Sequence, residues 1–140
     1  MKGKVFVDTN ILVYLFSETE HPKRDACQQA IDYFDERNQL VWSTQVIQEY
    51  YQTLTKKFGL DSILVKRSLD LYDSFELMTN TRETIDIAID IQTVNRLSFC
   101  DSLILAAASQ AKCSFLLSED MNEGQKIGRV KIISPFNITL

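Results

Sequence analysis

Four acidic residues stand where a metal-dependent phosphoryl-transfer site would need them: Asp8, Glu49, Asp101 and Asp120. Asp8 and Asp120 each come after a short apolar run that is typical of a buried strand. The other two fall early in stretches with a helical pattern. In open α/β sheets, ligands bind outside the carboxyl ends of the strands. Acids this far apart in sequence are therefore expected to meet at one edge of a sheet.

A cluster of four carboxylates is unfavourable unless a cation accompanies it. At an effective dielectric constant near 20, two carboxylates about 5 Å apart repel each other by roughly 3 kcal/mol. Such a cluster either raises its own pKa values or binds cations. Because the ligands are all oxygen atoms, the acids predict Mg²⁺ or Mn²⁺ rather than zinc. These ions can activate water, orient a phosphate and stabilise a leaving oxygen.

Each acid also has an ordinary structural explanation. Asp8 or Asn10 can cap the helix that follows, and Asp101 lies in a run that resembles a capping box. Asp120 falls in a loop, where aspartate is common. Glu49 lies outside the main apolar arc of its helix, as a solvated glutamate would. The hypothesis of a site therefore depends on the set, in which two acids follow strands and a third opens a very apolar helix, where a buried carboxylate needs a partner.

Composition predicts one globular domain over residues 1–140 and excludes several kinds of site. Hydrophobic residues make up 45% of the chain and charged residues 24%. A single histidine, His21, rules out mechanisms that use two histidines within one chain. The three cysteines lack C-x-x-C spacing, and the four glycines do not form the standard nucleotide-binding loops. No run approaches the ~20 apolar residues of a membrane helix, so we expect a cytoplasmic protein that does not bind membranes.

The net charge of −4 is unusual for a protein that holds nucleic acid through many phosphate contacts. It remains compatible with an enzyme that meets nucleic acid through metal ions and local basic clusters. The candidate clusters, each of which could equally be a solvated face, are Lys56 with Lys57, Lys66 with Arg67, and the group of Lys126, Arg129 and Lys131.

Strand-like and helix-like segments alternate, which predicts an α/β domain with a short, mainly parallel sheet flanked by helices. The predicted strands are residues 4–7, 40–42, 75–78, 115–117 and 130–133. The predicted helices begin at Ile11, span 22–37, 44–58 and 61–73, follow a cap at Thr81, and span 99–111. Because residues 103–108 are apolar without a break, the last helix should be buried on more than one side.

The residues around the four acids resemble the successive motifs of a PIN-domain ribonuclease. These are Asp8-Thr9-Asn10, Glu49, the run from Phe99 to Ile104 with the alanines after it, and the run from Leu117 to Met121. They occur in the family's order along nearly the whole chain. The length, and the run from Ser118 to Gly124, are most similar to the VapC-type toxin of a toxin–antitoxin pair.

The resemblance implies a PIN-like fold, Mg²⁺ or Mn²⁺ as cofactor, and endonucleolytic cleavage of RNA by metal-activated water. The four acids match the family's catalytic and metal-binding positions, with Asp8 and Asp101 holding the metal and Glu49 and Asp120 completing the acidic pocket. Asn10 and Ser118 match the polar positions that support them, and Glu119 adds a further carboxylate. The implied partners are an RNA substrate, a cognate antitoxin and a second copy of the chain.

Several other functions were compatible with parts of the pattern. A housekeeping RNA-processing nuclease would use the same acids. A phosphatase or phosphotransferase could use Asp8 as a nucleophile, but the haloacid-dehalogenase type has a second aspartate two residues later, where this chain has Asn10. A receiver module requires an acidic pair near the first strand, which is not evident, and a non-catalytic scaffold does not explain the four acids.

Overall fold

The computed structural model describes residues 1–16, Thr19 and residues 21–140, and its framework is a six-stranded sheet. The strands are β1 (Lys4–Val7), β2 (Leu40–Ser43), β3 (Glu76–Met78), β4 (Cys113–Leu117), β5 (Lys126–Ile127) and β6 (Val130–Ile133). Their spatial order is β3-β2-β1-β4-β6-β5. All neighbouring strands run parallel except β5, which pairs antiparallel with β6. The predicted mainly parallel sheet is confirmed.

Six α-helices in the described residues connect and flank the strands. They are α1 (Thr9–Tyr14), α2 (His21–Asp35), α3 (Thr44–Gln52), α4 (Ser62–Ser68), α5 (Arg82–Asn95) and α6 (Phe99–Gln110). The side chain of Asp61 caps α4 and that of Thr81 caps α5, as the sequence predicted. None of the helices among these residues has the length and apolar character needed to cross a lipid bilayer.

The order of the strands creates a crevice beside the end of β1. From β1 the chain moves outward through β2 to β3, and it then returns to place β4 on the other side of β1. Such a reversal of strand order is where open α/β sheets bind their ligands. Phe6 is in register with Leu116, and Val7 with Leu117. The residues that directly follow β1 and β4 are therefore side by side.

Helix α6 is held in place by burial along most of its length. Residues from Ile104 to Ala108 are buried, as the unbroken apolar run predicted. The helix contacts α5 and the strands β2, β4 and β6. A helix packed on several sides has little freedom to shift, so its first turn, which carries Asp101, has a fixed position relative to the end of β1.

Three details differ from the sequence prediction. The predicted helix over residues 44–58 ends at Gln52 and continues as a π-helical turn, Thr53–Lys57. The predicted helix over 61–73 ends as a 3₁₀ turn, Leu69–Tyr72. Strand β5 was not predicted, because two residues are too short to show an alternating pattern. It is paired with β6 through a turn at Gly128, whose φ of +59° is readily adopted by glycine.

Candidate active site

Asp8 is the most constrained of the four acids. It follows β1 directly and caps α1, accepting a hydrogen bond from the Thr9 N–H at 2.7 Å on Oδ1. Its second oxygen accepts from the Ser118 hydroxyl at 2.8 Å. The side chain is buried, with the residue 7% exposed. The capping role considered for Asp8 is therefore real, and it orients the carboxylate without removing it from the crevice.

The pKa of Asp8 is raised from 3.8 to about 6. Burial is the largest cause, the hydrogen bonds from Ser118 and Thr9 oppose it, and the charges of Glu49 and Asp101 add to it. At neutral pH the side chain is thus ionised in a place that disfavours its charge. A cation bound beside it would remove the penalty, because an opposite charge favours the carboxylate form.

Glu49 lies on α3, half-buried and held on both oxygens. Its Oε2 accepts from the Thr9 hydroxyl at 3.3 Å, and its Oε1 accepts from the Gln45 amide at 2.7 Å. Gln45 also donates to the Cys100 carbonyl at 3.2 Å. Sequence reasoning missed both Thr9 and Gln45. For Gln45, the i, i+4 spacing to Glu49 on a helix was the available signal.

Asp101 lies half-buried in the first turn of α6, where the Ser98 hydroxyl oxygen accepts a hydrogen bond from its backbone N–H at 3.1 Å. Only this half of the predicted capping box is present, since no hydrogen bond from the described residues reaches the Asp101 carboxylate. The helix N-terminus favours a negative charge at this position. The Asp101 carboxylate is therefore stabilised by the helix yet free to accept a ligand.

Asn10 joins the two strand ends and places Asp120. Its amide nitrogen donates to Asp120 Oδ2 at 2.9 Å and lies 3.4 Å from both Asp8 Oδ2 and the Ser118 hydroxyl oxygen. Its carbonyl oxygen accepts from the backbone N–H of Glu119 at 3.3 Å. Asp120 itself is exposed. Asn10 thus fixes the loop that carries Asp120 against the first turn of α1.

The sequence left open whether Glu119 faces the site. In the structure, its carboxylate is hydrogen-bonded to two other side chains. Its Oε1 accepts from the Lys23 ammonium at 2.9 Å, and its Oε2 accepts from the Tyr14 hydroxyl. Burial alone would raise the pKa of Glu119, but these two hydrogen bonds and the Lys23 charge lower it overall. Glu119 therefore lines the pocket and connects the loop after β4 to α1 and α2.

The four acids line one pocket of about 540 Å³, together with Glu119. Lys57 and Phe58 line its exposed side. Five carboxylates thus face a single lysine among the described lining residues. Their oxygen atoms are the donors that hard divalent ions prefer. The pKa of Asp8 is raised mainly by burial, so a cation beside it would favour its ionised form. This donor set fits Mg²⁺ or Mn²⁺. In the described part of the chain, no three His, Cys, Asp or Glu side chains are arranged so that they could hold an ion as they stand.

The fold is similar to that of several solved structures. A toxin–antitoxin complex from Klebsiella pneumoniae contains a chain with 21% identity and a TM-score of 0.73, over 96% of this chain and 100% of that one. FitAcB from Neisseria gonorrhoeae has 13% identity and a TM-score of 0.74, over 96% and 99%. VapC20 from Mycobacterium tuberculosis, described as a sarcin–ricin loop cleaving toxin, has 15% identity and a TM-score of 0.65, over 81% and 87%.

At these identities the likeness concerns the fold. A sequence search of curated proteins gave no match. The family model for the PIN domain matches residues 5–125, a span that includes all four acids and the strands from β1, except its first residue, to β4, but neither β5 nor β6. The chain belongs to the PIN-domain family.

Proposed function

We propose that this protein is a metal-dependent RNA endonuclease and the toxin component of a toxin–antitoxin pair. The observation that carries the proposal is the pocket itself: four acids far apart in sequence line it, and the innermost, Asp8, has a pKa raised to about 6. Such a site favours a divalent cation over any neutral ligand, and the membership in the PIN-domain family agrees with nuclease chemistry.

In this proposal Asp8 and Asp101 hold the metal, and Glu49 and Asp120 complete the acidic pocket. When bound, Mg²⁺ or Mn²⁺ supplies a Lewis acid that lowers the pKa of water and offsets the charge of a phosphodiester. The chain contributes the orientation of the carboxylates. Thr9 and Gln45 fix the two oxygens of Glu49, while Asn10 and Ser118 fix Asp120 and Asp8. Preorganised groups do not have to rearrange during the reaction.

The role as a toxin is supported by the kind of structures that share this fold, among them a toxin–antitoxin complex and a toxin that cleaves the sarcin–ricin loop. The pocket also suits inhibition by a partner. A cognate antitoxin with a basic tail would be attracted to five carboxylates in a chain of net charge −4. An arginine of that tail could bond two carboxylates at once and so exclude the metal.

We also propose a homodimer. The sequence offered the helices with Tyr50, Tyr51 and Leu54 and with Leu64, Leu69 and Leu71 as dimer surfaces. Tyr50 and Leu54 are fully buried in the core and cannot contact a partner. In α3, α4 and the 3₁₀ turn after α4, the exposed apolar side chains are Tyr51, Ile63, Leu64 and Leu71. They are the positions at which a second copy would gain most by covering apolar surface.

Cleavage of labelled RNA with and without added metal tests the nuclease. The native protein should cut RNA with Mg²⁺ or Mn²⁺ and stop in excess EDTA, whereas Asp8→Asn and Asp101→Asn should abolish cutting. Asp120→Asn should reduce cutting less, because Asp120 is exposed and lies on a loop. Asp90→Asn, at an exposed position of α5 outside the pocket, is the matched control and should be fully active. Cutting in EDTA, or by the Asp8→Asn protein, would refute the mechanism.

Expression in a bacterial host tests the role as a toxin. The native protein should arrest growth, and the Asp8→Asn protein, produced to the same level, should be harmless. Normal growth despite verified production of active nuclease would instead favour the housekeeping RNA-processing enzyme.

A further inference from the structure

We propose that Lys57 and Phe58 form a nucleotide-binding edge of the acidic pocket, in which the Phe58 ring stacks on an RNA base and the Lys57 ammonium contacts a phosphate next to the one that is cut. This inference rests on the proposed ribonuclease function and adds to it the two residues that hold the strand. We call these two residues the Lys57–Phe58 edge.

The π-helical turn places this edge. Glu49, Thr53 and Lys57 follow one another at intervals of four residues, and all three line the pocket. On a regular α-helix, four residues turn through about 400°, so each step would move the side chain about 40° further around the axis. A π turn takes less rotation per residue, which offsets that drift. The i→i+5 bond from the Phe58 N–H to the Thr53 carbonyl, 3.3 Å long, closes the turn.

The helical segment ends immediately after the Lys57–Phe58 edge. Gly59 has a φ of +66°, a conformation that side chains disfavour, and nothing would crowd a Cβ atom there. The glycine is thus required by the backbone and not by packing, and Leu60 then donates its N–H to the Leu54 carbonyl at 3.0 Å. This termination leaves Phe58 as the residue that caps the turn, where it lines the pocket and is 48% exposed.

Charge indicates what the edge binds. Lys57 is the one cation among the described residues that line a pocket with five carboxylates, and in the described part of the chain it forms no ion pair. Its ammonium lies 5.9 Å from the centroid of the Phe58 ring. A metal ion held by the acids would offset the charge of only the phosphate beside it. The next phosphate of the RNA strand therefore needs a separate cation. The Lys57 ammonium can attract that phosphate.

Phe58 supplies what a single strand needs besides charge. Single-stranded nucleic acids bind through a cationic groove combined with aromatic side chains on which bases stack. An aromatic ring that is half exposed beside a lysine, at the mouth of the site, provides both elements within two residues. Tyr51, on α3, has a similar exposure of 42% but lines a separate groove.

The test measures binding separately from cutting. Every protein carries Asp101→Asn to prevent cleavage, and the probe is a short fluorescein-labelled single-stranded RNA, with an abasic version of the same strand, in Mg²⁺. Phe58→Leu should weaken binding by about tenfold and remove most of the preference for the strand with bases, and Phe58→Trp should restore it. Lys57→Gln should lower the slope of log affinity against log salt by about 0.7, the value for one phosphate on a single strand.

A neighbouring lysine provides the matched control. Lys56→Gln removes an adjacent exposed lysine that does not line the pocket, and this variant should bind RNA like the parent. Equal effects of Lys56→Gln and Lys57→Gln, or unchanged binding by Phe58→Leu, would overturn the edge while leaving the ribonuclease intact. Failure of the parent to bind RNA, together with failure of the native protein to cut it, would overturn both proposals.

Discussion

Replacing Asp8 by asparagine should stabilise the metal-free protein at neutral pH. Asp8 is buried at the end of β1, beside the charges of Glu49 and Asp101. Asparagine has nearly the same shape, and its carbonyl oxygen can accept the hydrogen bond from the Thr9 N–H. Its amide can donate to the Ser118 hydroxyl oxygen, which donates to Asp8 in the native protein. The change therefore removes a charge and keeps the two shorter hydrogen bonds, while the 3.4 Å contact with the Asn10 amide is lost.

The size of the effect follows from the pKa. Burial and the two neighbouring carboxylates raise the pKa of Asp8 from 3.8 to about 6. At about 1.4 kcal/mol for each pKa unit, the ionised side chain costs the folded state about 3 kcal/mol at pH 7. Below the unfolded value both states hold the proton and the cost is absent. Because the folded state binds the proton more tightly, stability falls as pH rises from about 4 through about 6.

Thermal unfolding in EDTA at a series of pH values measures this effect. Near pH 4 the native and Asp8→Asn proteins should melt within a few degrees of each other. At pH 7 the variant should melt about 10 °C higher, given roughly 3–4 °C for each kcal/mol in a chain of this size. Asp90→Asn, at its exposed position, should follow the native protein at every pH. A variant that is no more stable than the native protein at pH 7 would refute the argument that Asp8 is held in an unfavourable ionised state.

Metal should reverse the order of stability. A ligand that binds only the folded state at 1,000 times its Kd adds about 4.1 kcal/mol, which exceeds the cost of about 3 kcal/mol for ionised Asp8. Added Mn²⁺ should therefore raise the melting temperature of the native protein and leave that of Asp8→Asn nearly unchanged. If Mn²⁺ stabilised both proteins equally, the ion would bind somewhere other than the pocket of Asp8.

Two further substitutions test the groups around the acids. Ser118→Ala removes the hydrogen bond that lowers the pKa of Asp8, so the stabilisation by Mn²⁺ should begin at a higher pH than in the native protein; an unchanged pH profile would contradict this role. Lys23→Met leaves Glu119 without its cation. Because the pKa of Glu119 is lowered in the folded state, the resulting loss of stability should be present at pH 7 and disappear as the pH falls below the ordinary glutamate value of 4.5 and the carboxyl is protonated. Arg82→Met, which removes an exposed helical ion pair, is the control for Lys23→Met, and an equal effect of the two would show that the Glu119 pair is an ordinary surface contact.

The fold was predictable because its signals are local. The apolar runs that became β1 and β4, the caps at Asp61 and Thr81, and the unbroken apolar stretch of α6 each follow from a few neighbouring residues. The elements that the sequence did not predict are very short or depart from α-helical winding. A two-residue strand such as β5 has no periodicity to detect, and the π turn at Thr53–Lys57 contains no glycine or proline that would separate it from the α-helix before it.

The site was predictable in its acids but not in its supports. The positions of the acids at strand ends and at a helix start are local features, and parallel strands bring such ends together. The hydrogen bond of Gln45 to the Cys100 carbonyl depends on how α3 lies against α6, a contact between residues 55 positions apart. The pairing of Glu119 with Tyr14 and Lys23 is equally remote in sequence. No local pattern could have separated Glu119 from the other carboxylates.

Asn10 shows why this pocket does not hold one more acid. Its amide nitrogen lies 2.9 Å from an oxygen of Asp120 and 3.4 Å from an oxygen of Asp8, and it is a donor to both. An aspartate there would have no proton to donate and would add a sixth carboxylate to the five that line the pocket. A phosphatase with paired aspartates would need that arrangement. In this chain the Asn10 amide instead donates to two carboxylates and orients them without adding a negative charge, so the pocket carries less repulsion when no metal is bound.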